Sequence, residues 1–328
     1  MRGIALLLLC AMTAGLLSGC RKASEETPSV PEEPLRLETL TVEISKNGRT
    51  PEELLAAVRQ LPEALAAGFA GTDVEVGEIT VTVGPSPAAT AQALAEGTVD
   101  LAFLPADDFL LHGGEARPLL GDAEEDGTPG IRSLVCTAPS AYGVQLSGWA
   151  EGEPITWAEL DRARWGVLAA DSLGGYRGLE LWLSDGYGGD TVSDLSDVTV
   201  YGSYEELLRA AAREEIDAFS IRDDARTEAA EAWLLESSRT DSRGVHGFDR
   251  AAPVTEETHV LAVTEPLYTT LAAVGREDLA RGAFPEALRQ ALAALDTDLL
   301  ADLGAAVFAP VTETDLAPQR RLLTLEGR

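Results

Sequence analysis

Two stretches of the chain follow one plan. AQALAEGTVDLAFLPADDF at 91–109 and LRAAAREEIDAFSIRDDA at 208–225 each run through a helical segment, a short turn, an apolar strand opened by an Asp, and then a pair of Asp residues. Asp100 precedes Asp107 and Asp108 in the first; Asp217 precedes Asp223 and Asp224 in the second. Two βα units can look alike by chance. Read as related, they make a molecule of two similar α/β lobes. Ligands of parallel α/β sheets bind beyond the carboxyl ends of the strands, which would set both Asp pairs beside a cleft between the lobes.

The rest of the mature chain alternates strand-like and helix-like segments, the α/β signature. Leu40–Ile44 has a two-residue period, and Thr50-Pro51-Glu52-Glu53 then opens a helix with a capping box and an early Pro. Leu54, Leu55, Val58, Leu61 and Leu65 give that helix an apolar stripe. Strands are expected at 74–83, 99–104, 131–137, 164–169, 198–201, 216–220 and 260–263. Helices are expected from Ser86-Pro87 to Gly97, near 176–184, and after Ser203-Tyr204-Glu205-Glu206. The tail from Asp278 to about Glu326 reads as mostly helical.

With 328 residues the chain has room for about two domains, and 45% apolar content suits a globular protein. Lys and Arg number 25 against 55 Asp and Glu, a formal charge of −30. Only Lys22 and Lys46 are lysines. So acidic a surface excludes a nucleic-acid binder and docking on anionic lipid through basic patches. It names no function, since acidity also serves solubility.

The first twenty residues, MRGIALLLLCAMTAGLLSGC, set one positive charge before an apolar run too short to span a bilayer. That is an export signal, and Leu17-Ser18-Gly19-Cys20 resembles the bacterial lipobox, whose thiol receives the lipid. Residues 21–36 carry three Pro and four Glu and read as an extended tether. Several acyl chains on Cys20 would anchor the protein stably where one would not. Cys10 leaves with the signal and Cys20 is consumed, so Cys136 has no partner for an intrachain disulfide. Its apolar surroundings predict an inert buried thiol.

Several segments, in order, resemble the substrate-binding proteins of phosphate/phosphite/phosphonate ABC transporters, the PhnD-like group. Gly97–Ala106 is similar to the family's G-x-V-D-[IL]-[AG]-[FW]-[LI]-[GP]-[PA] segment, and Trp157–Asp161 to the approach to its next strand. Asp171-Ser172-Leu173-Gly174-Gly175-Tyr176 falls at the family's anion loop, Tyr201–Tyr204 at its G-S-H, and Val263–Tyr268 at its return to the first lobe. The resemblance implies a two-lobed type II periplasmic-binding-protein fold with crossovers near 133–139 and 265–270. Lobe 1 would comprise 37–135 and 268–328, and lobe 2 would comprise 136–267. It implies an extracytoplasmic, membrane-anchored, monomeric solute-binding protein that serves an ABC permease and its ATPase. It implies no cofactor and no enzymatic activity.

The turn at 172–175 has its own physics. Amides free at a helix start make an anion site, and the Ser172 hydroxyl adds a donor; the same residues also suit a plain N-cap. Ser172, Gly174, Gly175 and Tyr176 are therefore candidate anion contacts, with Tyr204 where the family has His. Leu173 and Gly174 replace two family hydroxyls. Asp107, Asp108 and Asp223 would repel a dianion by about 4 kcal/mol per close pair at an effective dielectric near 20. A solute with both an anionic group and an amine, such as an aminoalkylphosphonate, fits better, unless these Asp residues are solvated caps. A sensing lipoprotein without transport, or a binder of amines, are the alternatives. His112, His246 and His259 lack metal-ligand spacing, and no nucleophile, base and orienter group together. Tyr142, Trp149, Trp182 and Tyr187 read as packing aromatics rather than stacking platforms.

Overall fold

The computed structural model describes residues 34–46, 49–150 and 154–328. The expected signal, the lipidated Cys20 and the tether through residue 33 lie outside them. Leu35 and Arg36, expected to end the tether, instead begin the first strand. The strands are β1 (Leu35–Ile44), β2 (Val74–Val83), β3 (Leu101–Pro105), β4 (Arg117–Ala123), β5 (Ser133–Thr137), β6 (Trp165–Val167), β7 (Val198–Val200), β8 (Ala218–Arg222), β9 (Val260–Val263), β10 (Thr270–Val274) and β11 (Val307–Pro310).

Local sequence accounts for many of these elements. Leu40, Val42 and Ile44 bury alternate residues of β1, the period-two pattern of a strand. The helix Leu55–Phe69 buries Leu61, Leu65 and Phe69 one turn apart, against the helix Phe284–Ala293, whose Phe284 ring stacks on Phe69. Upstream, Thr50 donates its amide and hydroxyl to Glu53 at 2.6 and 3.0 Å, closing the expected capping box. Ser86 caps the helix Pro87–Ala95 through the Ala89 amide.

The strands form two sheets. The first runs β11-β4-β10-β3-β1-β2 and the second β7-β6-β8-β5-β9. Setting β11 aside, both have one order. A first strand lies parallel between the second and third (β1 between β2 and β3; β6 between β7 and β8). An antiparallel strand then joins the third to the fourth (β10 between β3 and β4; β5 between β8 and β9). The two echoing stretches of sequence place β3 and β8 in the same position of their sheets. Each sheet is covered on both faces by buried apolar clusters, as parallel strands require.

The correspondence extends to single atoms. Asp100 Oδ2 accepts the Thr41 amide and hydroxyl at 2.8 and 2.7 Å. Asp217 Oδ2 accepts the Arg164 amide at 2.9 Å. Thr41 and Arg164 stand just before the residues of β1 and β6 that pair with β3 and β8. The strand-opening Asp of each lobe thus brackets its third strand to its first, at the amino end and away from any cleft.

The lobe boundaries shift. Ser133–Val135, expected to close lobe 1, are part of β5 in the second sheet, so the first crossover is 124–132 rather than 133–139. It pairs with the second crossover through Ile131 and Leu267, whose amides and carbonyls bond at 2.7 and 2.9 Å. Gly130 allows this approach: it has φ +63°, and a Cβ there would lie 2.8 Å from the Leu267 carbonyl oxygen. The expected helical tail contains β11, and its last helix, Ala317–Leu325, does not sit on lobe 1 alone. Its Leu322 is buried with Leu181 of the second lobe and Leu267 of the crossover. No helix among the described residues is long and apolar enough to cross a membrane.

Candidate functional site

The turn after β6 starts with Ser172 as an N-cap whose hydroxyl accepts the Gly175 amide at 3.1 Å. Five residues, Leu173–Arg177, are then wound as a π-helix before the helix Gly178–Gly186. The Tyr176 and Arg177 amides both bond the Ser172 carbonyl. The Leu173 and Gly174 amides have no acceptor among the described residues. Of the expected anion contacts, the Gly174 amide is thus available, whereas that of Gly175 is engaged because Ser172 caps its own helix.

The loop is fixed by its glycines. A Cβ on Gly174 would fall 2.9 Å from the Arg222 Cα and 2.9 Å from the Tyr204 hydroxyl oxygen, and one on Gly175 would fall 2.6 Å from Leu168 Cγ. The Ser220 hydroxyl holds the Gly174 carbonyl at 3.0 Å. Tyr204 lies over the turn: burial pushes its phenol up, while a hydrogen bond with the Ser172 side chain pulls the other way. Tyr176 packs on the second sheet's core with Leu179 and Trp165. Trp182 and Tyr187 meet edge to face in the same cluster, so both are packing aromatics.

The carboxylates divide. Asp107, expected to be free for a ligand's cation, already has cations of the chain beside it. Arg177 stands 3.0 Å away, Arg328 3.0 Å, and the Gln319 amide donates to it at 2.7 Å. Neither Asp107 nor Asp108 caps its helix, whose N-cap is Pro105 without a side-chain bond; both sit in its first turn, where the helix dipole favours negative charge. Burial raises the Asp108 carboxyl, with His112 pulling down and Asp107 adding to the rise. Burial also raises Asp223, helped by neighbouring Asp224. Glu124, just beyond β4, is raised by burial and then by Asp224 and Asp223 across the lobes.

These raised carboxyls fix a pH response. Each binds its proton more tightly folded than unfolded, so the stability it contributes is full below the ordinary value near 4 and is lost as pH rises through the folded value. Asp217 and Glu257, held low by Arg164 and Arg250 against the opposing effect of burial, contribute above their ordinary values and lose it as pH falls. The melting temperature should therefore rise as pH is lowered from neutrality toward the ordinary carboxylate value near 4 and turn down below it. Asp223→Asn should flatten part of the rise. A melting curve indifferent to pH in wild type and variant alike contradicts this assignment.

Sequence reasoning missed a small cavity of about 30 Å³ at the carboxyl ends of β1 and β3, lined by Ser45, Lys46, Pro105, Thr270 and Gly304 among others. The Ser45 and Thr270 hydroxyls are buried without a hydrogen-bond partner among the described residues. That volume admits about one water, and the strands' apolar pattern gave no sign of it. Cys136 is fully buried and its thiol is pushed up to about 12, chiefly by burial, so it is inert. No group of metal-ligating side chains occurs among the described residues.

A family model for the periplasmic phosphonate substrate-binding protein of ABC transporters matches residues 48–316. No curated protein matches the sequence. Similar solved structures include a binding-protein component of an ABC phosphonate transporter from Pseudomonas aeruginosa, at 14% identity and TM-score 0.41, covering 88% of this chain and 87% of that one. A Xanthomonas citri protein bound to ATP has 16% identity, TM-score 0.43 and coverage of 88% and 96%. PhnD1 of Prochlorococcus marinus, in complex with methylphosphonate, has 12% identity, TM-score 0.42 and coverage of 88% and 98%.

Proposed function

The chain belongs to the periplasmic phosphonate substrate-binding protein family of ABC transporters, and from that premise we propose that it captures a small phosphonate-like oxyanion, or a zwitterion carrying such a group, between its lobes. It then delivers the solute to a membrane permease and its ATPase. Membership makes it an extracytoplasmic binding protein rather than an enzyme. A lipid on Cys20 would keep it at the outer face of the membrane, within reach of the permease. As a monomer with two lobes, it would work by hinge closure, the solute bridging both lobes and shifting the population toward the closed form.

One observation carries the reading: among the described residues the Leu173 and Gly174 amides have no acceptor, in a turn whose far end, Arg177, reaches the first lobe at Asp107. Amides of this kind bind an anionic group, and Ser172, Tyr176 and Tyr204 border it. Asp108 and Asp223 then favour a cation on the same solute, because an ammonium arriving there stabilises carboxylates whose charge is disfavoured chiefly by burial and secondarily by a neighbouring Asp. That surplus of carboxylate also supports the second reading, a solute that is an amine alone.

A melting screen of the full chain separates these. Phosphate, phosphite, methylphosphonate, 2-aminoethylphosphonate and simple amines are each added in excess. A solute at about 100 times its Kd adds about 2.7 kcal/mol of stability, and 2-aminoethylphosphonate should give the largest shift. Shifts from amines alone remove the anionic turn from the account. No shift from any of them defeats the reading.

A further inference from the structure

Arg177 is 6% exposed at the end of the π-wound turn. Its amide reaches the Ser172 carbonyl and the Gly178 amide reaches Leu173, five residues back in each case. This wide winding, which recurs at functional sites, leads the chain from the solute turn to a guanidinium that meets the other lobe. The Arg177 guanidinium meets Asp107 Oδ2 at 3.0 Å and both oxygens of Glu326 at 2.8 and 3.2 Å. Gln319, 2% exposed, holds Asp107 with its amide and also bonds the Tyr268 carbonyl and amide at 3.0 and 2.9 Å. Arg328 completes the cluster on Asp107 and Glu326. The first-lobe helix Ala106–His112, the second-lobe turn and the C-terminal helix therefore meet on one buried positive charge.

We propose that Arg177 is the latch of the hinge: its ion pair with Asp107, bolted by Glu326 from the C-terminal helix, holds the lobes together on charge the chain itself supplies. Opening the lobes separates Asp107 from Arg177, and a buried guanidinium or carboxylate parted from its counter-ion is strongly disfavoured. The latch sets the balance between open and closed forms before any solute arrives. Resting on the solute reading above, a further consequence follows. The anionic group of a zwitterion held at the turn competes with Asp107 for Arg177. Arg177 thus couples capture to closure without being one of the turn's amide donors.

The experiment uses the full chain without added solute. Hydrogen exchange is followed at the amides of 106–112 and 173–178, with the radius of gyration from small-angle scattering. Arg177→Met should speed exchange in both segments at least tenfold and enlarge the radius. Asp107→Asn should do the same to a smaller degree. Arg321→Met, which removes the same helix's pairing with Asp185 and Glu265, should do neither. Unchanged exchange and radius in Arg177→Met overturn the latch, as does an equal effect from Arg321→Met, which would mean only that the helix docks loosely. Should Arg177→Met lose its cooperative melt, Asp107→Asn decides by the same criteria. Addition of 2-aminoethylphosphonate to wild type is a separate arm: its failure to shift the melt removes the solute reading and leaves the latch standing.

Discussion

Replacing Asp217 with Ala should cost about 3 kcal/mol or more, the range found when one partner of a buried ion pair is removed, and should lower the melting temperature by roughly 6–12 °C. The Asp217 carboxylate is buried and saturated. It accepts the Ser140 hydroxyl at 2.6 Å, the Arg164 amide at 2.9 Å, and two Arg164 guanidinium nitrogens at 2.9 and 2.7 Å. Alanine leaves a buried hydroxyl and a strand-opening amide unsatisfied, each costing about 1–3 kcal/mol. The guanidinium is 43% exposed and recovers much of its solvation, which keeps the loss toward the low end. Asp100→Ala, at the same position in the other lobe, should cost less, because its partners are the Thr41 amide and hydroxyl and a 3.4 Å contact with Arg276. Urea unfolding of both variants checks the order. If Asp217→Ala stays within 1 kcal/mol of wild type, the bracket is ornamental.

This bracket also shows how far the sequence could be read. The repeated Asp was visible as a position, and so were the strand it opens and the two-lobe architecture it implies. Its task was not visible, because the residue it holds lies 53 residues away in one lobe and 59 in the other. Strands β4 and β10 escaped for a local reason. TLAAV is buried at every residue, so no alternation distinguishes it from a helical run. β4 contains Pro118 and Gly121, which read as breakers; Gly121 is there because a Cβ would strike the Tyr268 ring at 2.6 Å.

At the site, Ser172 was legible as either a cap or an anion donor, and capping explains why one of the two expected glycine amides is taken. The structure sets Asp107 and Asp223 at the opposite ends of β3 and β8 from the strand-opening Asp100 and Asp217. Nothing local told Asp107 from Asp108, although one pairs with Arg177 and Arg328 and the other is raised chiefly by burial. Arg177, Gln319 and Glu326 were unreadable because their bonds reach across the chain: Arg177 lies 149 residues from Glu326, and Gln319 lies 212 residues from Asp107. Only the fold makes them neighbours.

Gly174→Val should abolish high-affinity solute binding, lowering affinity at least about 100-fold, while costing about 1–3 kcal/mol of stability through overpacking. The obstacle to a side chain is backbone: the Arg222 Cα lies 2.9 Å from where the Cβ must go, with the Arg222 Cβ at the same distance. A flexible side-chain tip could swing aside, but the backbone of Arg222, the last residue of β8, is held by its pairing with Ser133 of β5. The turn must therefore lift, and the Ser220 bond to the Gly174 carbonyl breaks with it. Displacing the Leu173 and Gly174 amides removes two charge-assisted hydrogen bonds of about 1.5–3 kcal/mol each, enough for the expected loss. Gly186→Ala is the matched control, since its Cβ meets nothing within 4 Å, and it should bind as wild type does. Calorimetric titration with the solute that gives the largest melt shift reads both. Binding by Gly174→Val within threefold of wild type would place the anion away from this turn.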